Sequence, residues 1–394
     1  MKKLLTLFAI LFSCVAFSQP KLSVLEQQGT DFYKAGNLKD ATMSLEKAFA
    51  ENPKSLYAMN ALARLYHDQK EEKKAYEVAD KGIKASPADN NFVYLKSRAA
   101  SFLNKPQEAV KIIETFAAKY KADYMVLFEK GIAYNQLNEK QQAITAFSQS
   151  IIENPEFFNS HFERGKLFAD LSRYPQALKD YDKCVLLDKE DADVYNYIGV
   201  IYYQMGNLDG ALTNYNTCLK LDPKQSFALA NRGMVYQDKK DFEKATADFD
   251  TSIAINPNNA DTYFESAKLY DKAKNYPKAS QMIDRAISLK PNSSLFYGEQ
   301  CHIYVGLDKY IEAITAANKA LELNPKNPDG YIFKAAAYYN QEKFNDALKV
   351  VTTGIAVLPD YYLLYTFRAS IYRGLKNYTL ADADDAKAKA LTLK

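Results

Sequence analysis

The chain has no tryptophan, only three histidines and four cysteines in 394 residues, and almost no excess of charge. Fifty-one Lys and Arg stand against 48 Asp and Glu, a net +3 that falls to +1 (49 against 48) without Lys2 and Lys3. A balance that close gives no long-range attraction to nucleic acid or to an anionic membrane. There is no glycine-rich phosphate loop, no His-Glu-x-x-His and no Gly-x-Ser-x-Gly, so the common nucleotide, metalloprotease and serine-hydrolase signatures are missing. No low-complexity tract or linker interrupts the chain, and beyond the first twenty residues no segment is apolar enough to cross a bilayer. What is present is an ordinary globular mixture, 47% hydrophobic and 25% charged, with 30 Tyr beside 22 Phe. Much of the packing surface therefore carries a phenol that must point to water or to a partner.

The opening MKKLLTLFAILFSCVAFSQP has Lys2 and Lys3, an apolar run from Leu4 to Val15, and small residues at Ala16 and Ser18 before Gln19. This is the anatomy of a secretory signal peptide spanning 1–18, which predicts an exported chain, periplasmic or secreted. Leu11-Phe12-Ser13-Cys14 leaves open a lipoprotein anchored through Cys14, although Phe12 is bulky for that signal.

The rest of the sequence repeats itself. GNLKDATMSLEKAFAENP at 36–53 and GNLDGALTNYNTCLKLDP at 206–223 are 170 residues apart, which is five steps of 34. Steps of 34 from Ala41 land on Ala75, Ala109, Ala143, Ala177, Ala211, Ala245, Ala279, Ala313, Ala347 and Ala381, an alanine every time. The same steps from Pro53 meet proline at seven of nine landings, failing at Lys121 and Lys189, and those from Phe32 meet an aromatic ring everywhere except Ala100.

With position 1 at Leu22, each 34-residue unit has a small residue at position 8 and alanine at 20, all but unit three have an aromatic at 11, and most have proline at 32. This resembles the tetratricopeptide repeat. Eleven units begin at 22, 56, 90, 124, 158, 192, 226, 260, 294, 328 and 362 without insertion or deletion, covering 19–394. The resemblance implies an all-α, right-handed superhelical solenoid of helix-turn-helix units with first helices on its concave side. Gly131, Gly165, Gly199 and Gly233 at position 8 let the paired helices approach, with the position-20 alanine as the matching small residue. Proline at 32 stops the second helix. Unit three, with Ser97, Ala100, Pro106 and Lys121, is expected to have shorter or shifted helices, and the polar outer helix of unit eleven, with Asp385 at an apolar position, is expected to act as a solvating cap.

Chemistry is scarce in this frame. His67, His161 and His302 fall in units two, five and nine and cannot meet in a stacked array, so neither a metal, a cofactor nor a catalytic set is expected, and the chain is read as no enzyme. Cys184 and Cys218 at position 27 and Cys301 at position 8 read as buried thiols.

The resemblance implies a protein or peptide partner in a concave groove lined by positions 2, 5, 9, 12 and 13. Tyr94, Phe128, Phe162 and Asn196 stand at position 5, Arg98 and Lys166 at position 9, Tyr203 at position 12, and Phe102 and Gln136 at position 13. Rings would supply apolar contact while the cations and amides fix polar groups, or neighbouring helices simply pack the rings together. The residue sets by which relatives grip a chaperone carboxylate or transfer sugar nucleotides are missing; Asn231 is the one asparagine at position 6. An envelope scaffold is the main expectation, beside a peptide-binding chaperone and a cell-wall glycan binder, with self-association left open.

Overall fold

A computed structural model describes residues 22–392. The leader and the Cys14 anchor lie outside the described residues. Among the described residues there are 22 α-helices and no strand. The chain divides into two compact units, one ending at Lys189 and the other beginning at Glu190.

In the first unit the first helices of the five repeats are Val24–Lys34, Leu56–Asp68, Asn90–Phe102, Tyr124–Gln136 and Phe158–Asp170. In the second unit the six are Ala192–Gln204, Ser226–Asp238, Ala260–Lys272, Ser294–Gly306, Pro328–Asn340 and Tyr362–Gly374. A second helix follows each after a tight turn, and successive pairs stack within each unit as an α-solenoid.

Local chemistry explains the regularity. Several first helices open on a side-chain cap: Ser23 in a reciprocal capping box with Glu26, Ser55 on the Ala58 amide, Asp123 on the Met125 and Val126 amides. They close in a turn whose position-15 residue is left-handed in all eleven repeats. Only Gly36 and Gly206 are glycines there, and the others, such as Lys70 at φ 62° and Lys274 at φ 57°, adopt it with a side chain. At the end of Leu56–Asp68 the Lys70 amide donates to the His67 carbonyl (2.9 Å) and the Glu71 amide to the Tyr66 carbonyl (2.7 Å), the paired bonds of a Schellman closure. Most second helices end where the residue before proline leaves the helical region, as at Asn52 (φ −132°, ψ 84°).

Repeats three and five lack that proline; the second helix of repeat five, Tyr174–Leu187, keeps 14 residues, whereas that of repeat three, Pro106–Ala117, has 12. Its first helix keeps 13 residues, so shortening affects the second helix alone.

All eleven alanines of the ladder are at most 1% exposed. The residue that needs the position-8 glycine, however, is the ring at position 24. A Cβ on Gly131 would lie 2.4 Å from Phe147, on Gly165 2.9 Å from Tyr181, on Gly199 2.6 Å from Tyr215 and on Gly233 2.8 Å from Phe249. Where position 8 carries a methyl, position 24 is smaller: Ala267 and Ile283 share one core cluster, Ala335 and Val351 another. Side-chain volume has moved from one helix to the other, which keeps the interior filled.

Polar groups follow the same register. Arg164 clamps Asp180, Arg232 clamps Asp248 and Arg368 clamps Asp384, each with two N–H donors at 2.7 to 2.8 Å. In the last repeat Asp384 is thus buried and paired, and Asp385 meets Arg373. No described helix is long and apolar enough to cross a membrane.

Candidate functional site

In the first unit, first helices of successive repeats exchange side chains through fixed positions. The Tyr33 hydroxyl donates to Asp68 (2.7 Å), and Arg64 donates to Asn60 (2.9 Å) and Asn91 (3.4 Å). Arg98 lies at the centre. Its Nε–H donates to His67 Nε2 (2.9 Å), its Nη1 to the Tyr94 hydroxyl, and it stands 3.9 Å from Glu129. Since His67 Nε2 accepts, the ring carries its proton on Nδ1, which donates to Glu72 at 3.0 Å. Glu129 is 3% exposed, and burial pushes its carboxyl up to about 7, with Arg98 pulling the other way.

This arrangement separates the expected groove residues. Tyr94 is 4% exposed and belongs to the core, its ring covered by the Arg64 and Arg98 guanidinium groups at 6.0 and 5.6 Å. It does not line an open strip. Phe128 is half-buried against Phe147 (5.6 Å) and Phe157 (5.4 Å), and Phe162 against Phe158 (5.7 Å) and Tyr181 (5.8 Å). Both rings lean on the position-24 aromatic of their own repeat. Lys166 is tied to Glu163 at 3.0 Å. Gln136 is exposed, and Phe102 stands out at 62% exposed, edge-on to His67 (4.8 Å) and 5.9 Å from the Arg98 Cζ. An exposed ring beside a fixed guanidinium is the accessible chemistry of this face.

Asn196 and Tyr203 belong to the second unit. Asn196 accepts from Asn231 Nδ2 (3.1 Å), and the Tyr203 hydroxyl donates to Asp238 (2.7 Å), the link that Tyr33 makes to Asp68. In the same unit Asp271, Glu299 and His302 bring ligand-type atoms within 4.8 Å of one another. No histidine meets another in this group; a single histidine meets carboxylates instead. The signal that finds it is register: Asp271 is at position 12 of repeat eight, Glu299 and His302 at positions 6 and 9 of repeat nine.

The first unit also has a groove of about 690 Å³ beside the shortened helix of repeat three, where Ile83, Pro87, Val93, Ile112 and Phe116 are edged by Lys96 and Lys119. The three cysteines within the described residues are buried, and burial pushes the Cys218 and Cys301 thiols up to about 12, away from thiolate reactivity.

Models described as tetratricopeptide repeat match residues 32–99, 94–156, 192–225, 226–259, 260–293 and 297–327, and one described as TPR repeat matches 165–206. No curated protein matches the sequence. Among solved structures the chain is similar to yeast Tom70 (15% identity, 93% of this chain and 91% of that one, TM-score 0.45). It is also similar to Cut9 bound to Hcn1 (13%, 94% of each chain, 0.46) and to YrrB, described as a TPR protein with an unusual peptide-binding site (22%, 47% of this chain and 95% of that one, 0.41). Repeats of this kind form protein-interaction scaffolds that are generally without catalysis. From its repeat-by-repeat matches and its stacked helix pairs, the chain belongs to the tetratricopeptide repeat family.

Proposed function

We propose that the chain is exported after loss of residues 1–18 and holds a protein or peptide partner of a bacterial cell envelope on the first-helix face of its first unit. The observation that carries the site is Phe102, a ring 62% exposed beside an Arg98 already immobilised by His67, Tyr94 and Glu129. Exposed rings ordered in advance lose little conformational freedom on binding and commonly anchor interfaces. Gln136 and Lys166 would add polar contacts, while Tyr94, Phe128 and Phe162 support the face from beneath. Asn196 and Tyr203 would offer a comparable polar surface in the second unit.

The test has two stages. Amino-terminal sequencing of the native protein should read from Gln19; a chain that retains Met1 removes the export reading. A partner captured from native envelope is then purified and titrated against the mature chain and its Phe102→Ala variant, with helicity checked. Truncating a central anchor should weaken binding by tenfold or more, about 1.4 kcal/mol or above. Equal affinity for the two chains would move the interface off this face.

A further inference from the structure

We propose that Asp271, Glu299 and His302 form a binding site for a divalent transition-metal ion, with one imidazole nitrogen and two carboxylate oxygens as protein ligands. Two adjacent repeats assemble it. Glu299 and His302 are three residues apart, on one face of helix Ser294–Gly306, and Asp271 faces them from the last turn of Ala260–Lys272.

The geometry is that of a site a small ion can close. One ligand atom from each residue lies within 4.8 Å of the others, and His302 Nδ1 is 3.3 Å from Asp271 Oδ2. Metal–ligand bonds of about 2.0 to 2.2 Å in a tetrahedral site set neighbouring donors roughly 3.3 to 3.6 Å apart. The His302–Asp271 edge already has that length, so binding asks only that Glu299 close in. The imidazole is also fixed from its flat side, stacked on Phe333 with centroids 4.2 Å apart and planes at 20°.

An independent observation points to a ligand. Asp271 Oδ1 is buried and has no hydrogen-bond partner among the described residues. A buried carboxylate oxygen without a donor is costly, and a cation bound by that carboxylate removes the cost. Lys268, the neighbouring ammonium, is bonded to Glu265 at 2.9 and 3.2 Å and lies over Phe264 at 5.3 Å. Asp329, one repeat further on, adds a third carboxylate to the surroundings of His302.

The donor set selects the class of ion. An imidazole with two carboxylates and no thiolate suits zinc, manganese, cobalt or nickel, whereas calcium and magnesium prefer all-oxygen shells. Three protein ligands leave at least one coordination position for water or for a donor from a bound partner.

The experiment is a titration of the chelator-treated mature chain with Zn²⁺, with Co²⁺ and with Ca²⁺, each alone, followed by calorimetry and, for Co²⁺, by visible absorption. One equivalent of Zn²⁺ or Co²⁺ should bind at micromolar or tighter dissociation constant, with Ca²⁺ at least about tenfold weaker. His302→Ala and the near-isosteric Asp271→Asn should each remove that equivalent while helicity is retained. If one variant fails to fold, the other decides. Absence of stoichiometric Zn²⁺ and Co²⁺ binding by the native chain overturns the proposal, as does an equivalent that persists in the folded variant.

Discussion

Repeats two to four and repeats eight to ten use the same places on their first helices for opposite purposes. In the first group, position 12 is His67 and position 9 of the following repeat is Arg98, so a cation of the chain sits beside the buried Glu129. In the second, the same two places are Asp271 and His302, 3.3 Å apart, with Glu299 alongside. The backbone frame is shared, and charge alone decides whether the place is already filled. The comparison extends to the interior: repeat four places its bulk at Phe147 against Gly131, repeat eight at Ile283 with Ala267. Identical helices therefore carry different chemistry at interchangeable positions.

The harshest way to break the comparison is to empty the filled place. Arg98→Leu should cost about 3 kcal/mol in urea unfolding at pH 8, where Glu129 is ionised and loses its counterion, and clearly less at pH 5. An equal cost at both pH values would separate Arg98 from Glu129. The carboxyl itself gives the next largest effect. Its native value, raised to about 7, exceeds the ordinary glutamate value of 4.5, so the native state holds a proton that the unfolded chain has lost between those limits. Its contribution is fully present below pH 4.5 and is lost as pH rises through 7, a fall of at most about 3 kcal/mol. Glu129→Gln should flatten that part of the stability profile; an unchanged slope would assign it to other groups.

The packing contrast is sharpened by moving bulk. Gly131→Ala should destabilise by roughly 1 to 3 kcal/mol because its methyl meets the Phe147 ring, and adding Phe147→Leu should recover part of the loss. Ala267→Gly, which removes a methyl and adds backbone freedom, should cost nearer about 1 kcal/mol. A neutral Gly131→Ala would refute the volume exchange. Smallest of all, Lys274→Gly relieves a left-handed residue with a side chain and should raise stability by about 0.5 to 1 kcal/mol, read as a higher urea midpoint.

Much of this architecture is written in the 34-residue period. Alanine at Ala41, Ala75 and their successors predicts a close helix contact, and every one is buried. Ser97, Ala100, Pro106 and Lys121 together predict shorter or shifted helices in repeat three, and the structure shortens its second helix alone. Volume exchange between positions 8 and 24 was less legible, since a glycine signals close approach without naming what approaches. Position 5 alone leaves Tyr94 open between groove contact and packing, and the structure packs it, with Arg64 and Arg98 folded over its ring. The Asp271, Glu299 and His302 group was hidden because carboxylates on polar helix faces look solvated until two repeats are set side by side.

The measurement that bears most directly on the contrast rebuilds one place as the other. Asp271→His together with His302→Arg writes the His67 and Arg98 pair into repeats eight and nine. The account predicts a helical chain that has lost its one equivalent of Co²⁺ and the accompanying visible absorption bands, because the guanidinium now occupies the place of the metal. Bands and stoichiometry unchanged from the native chain would contradict it.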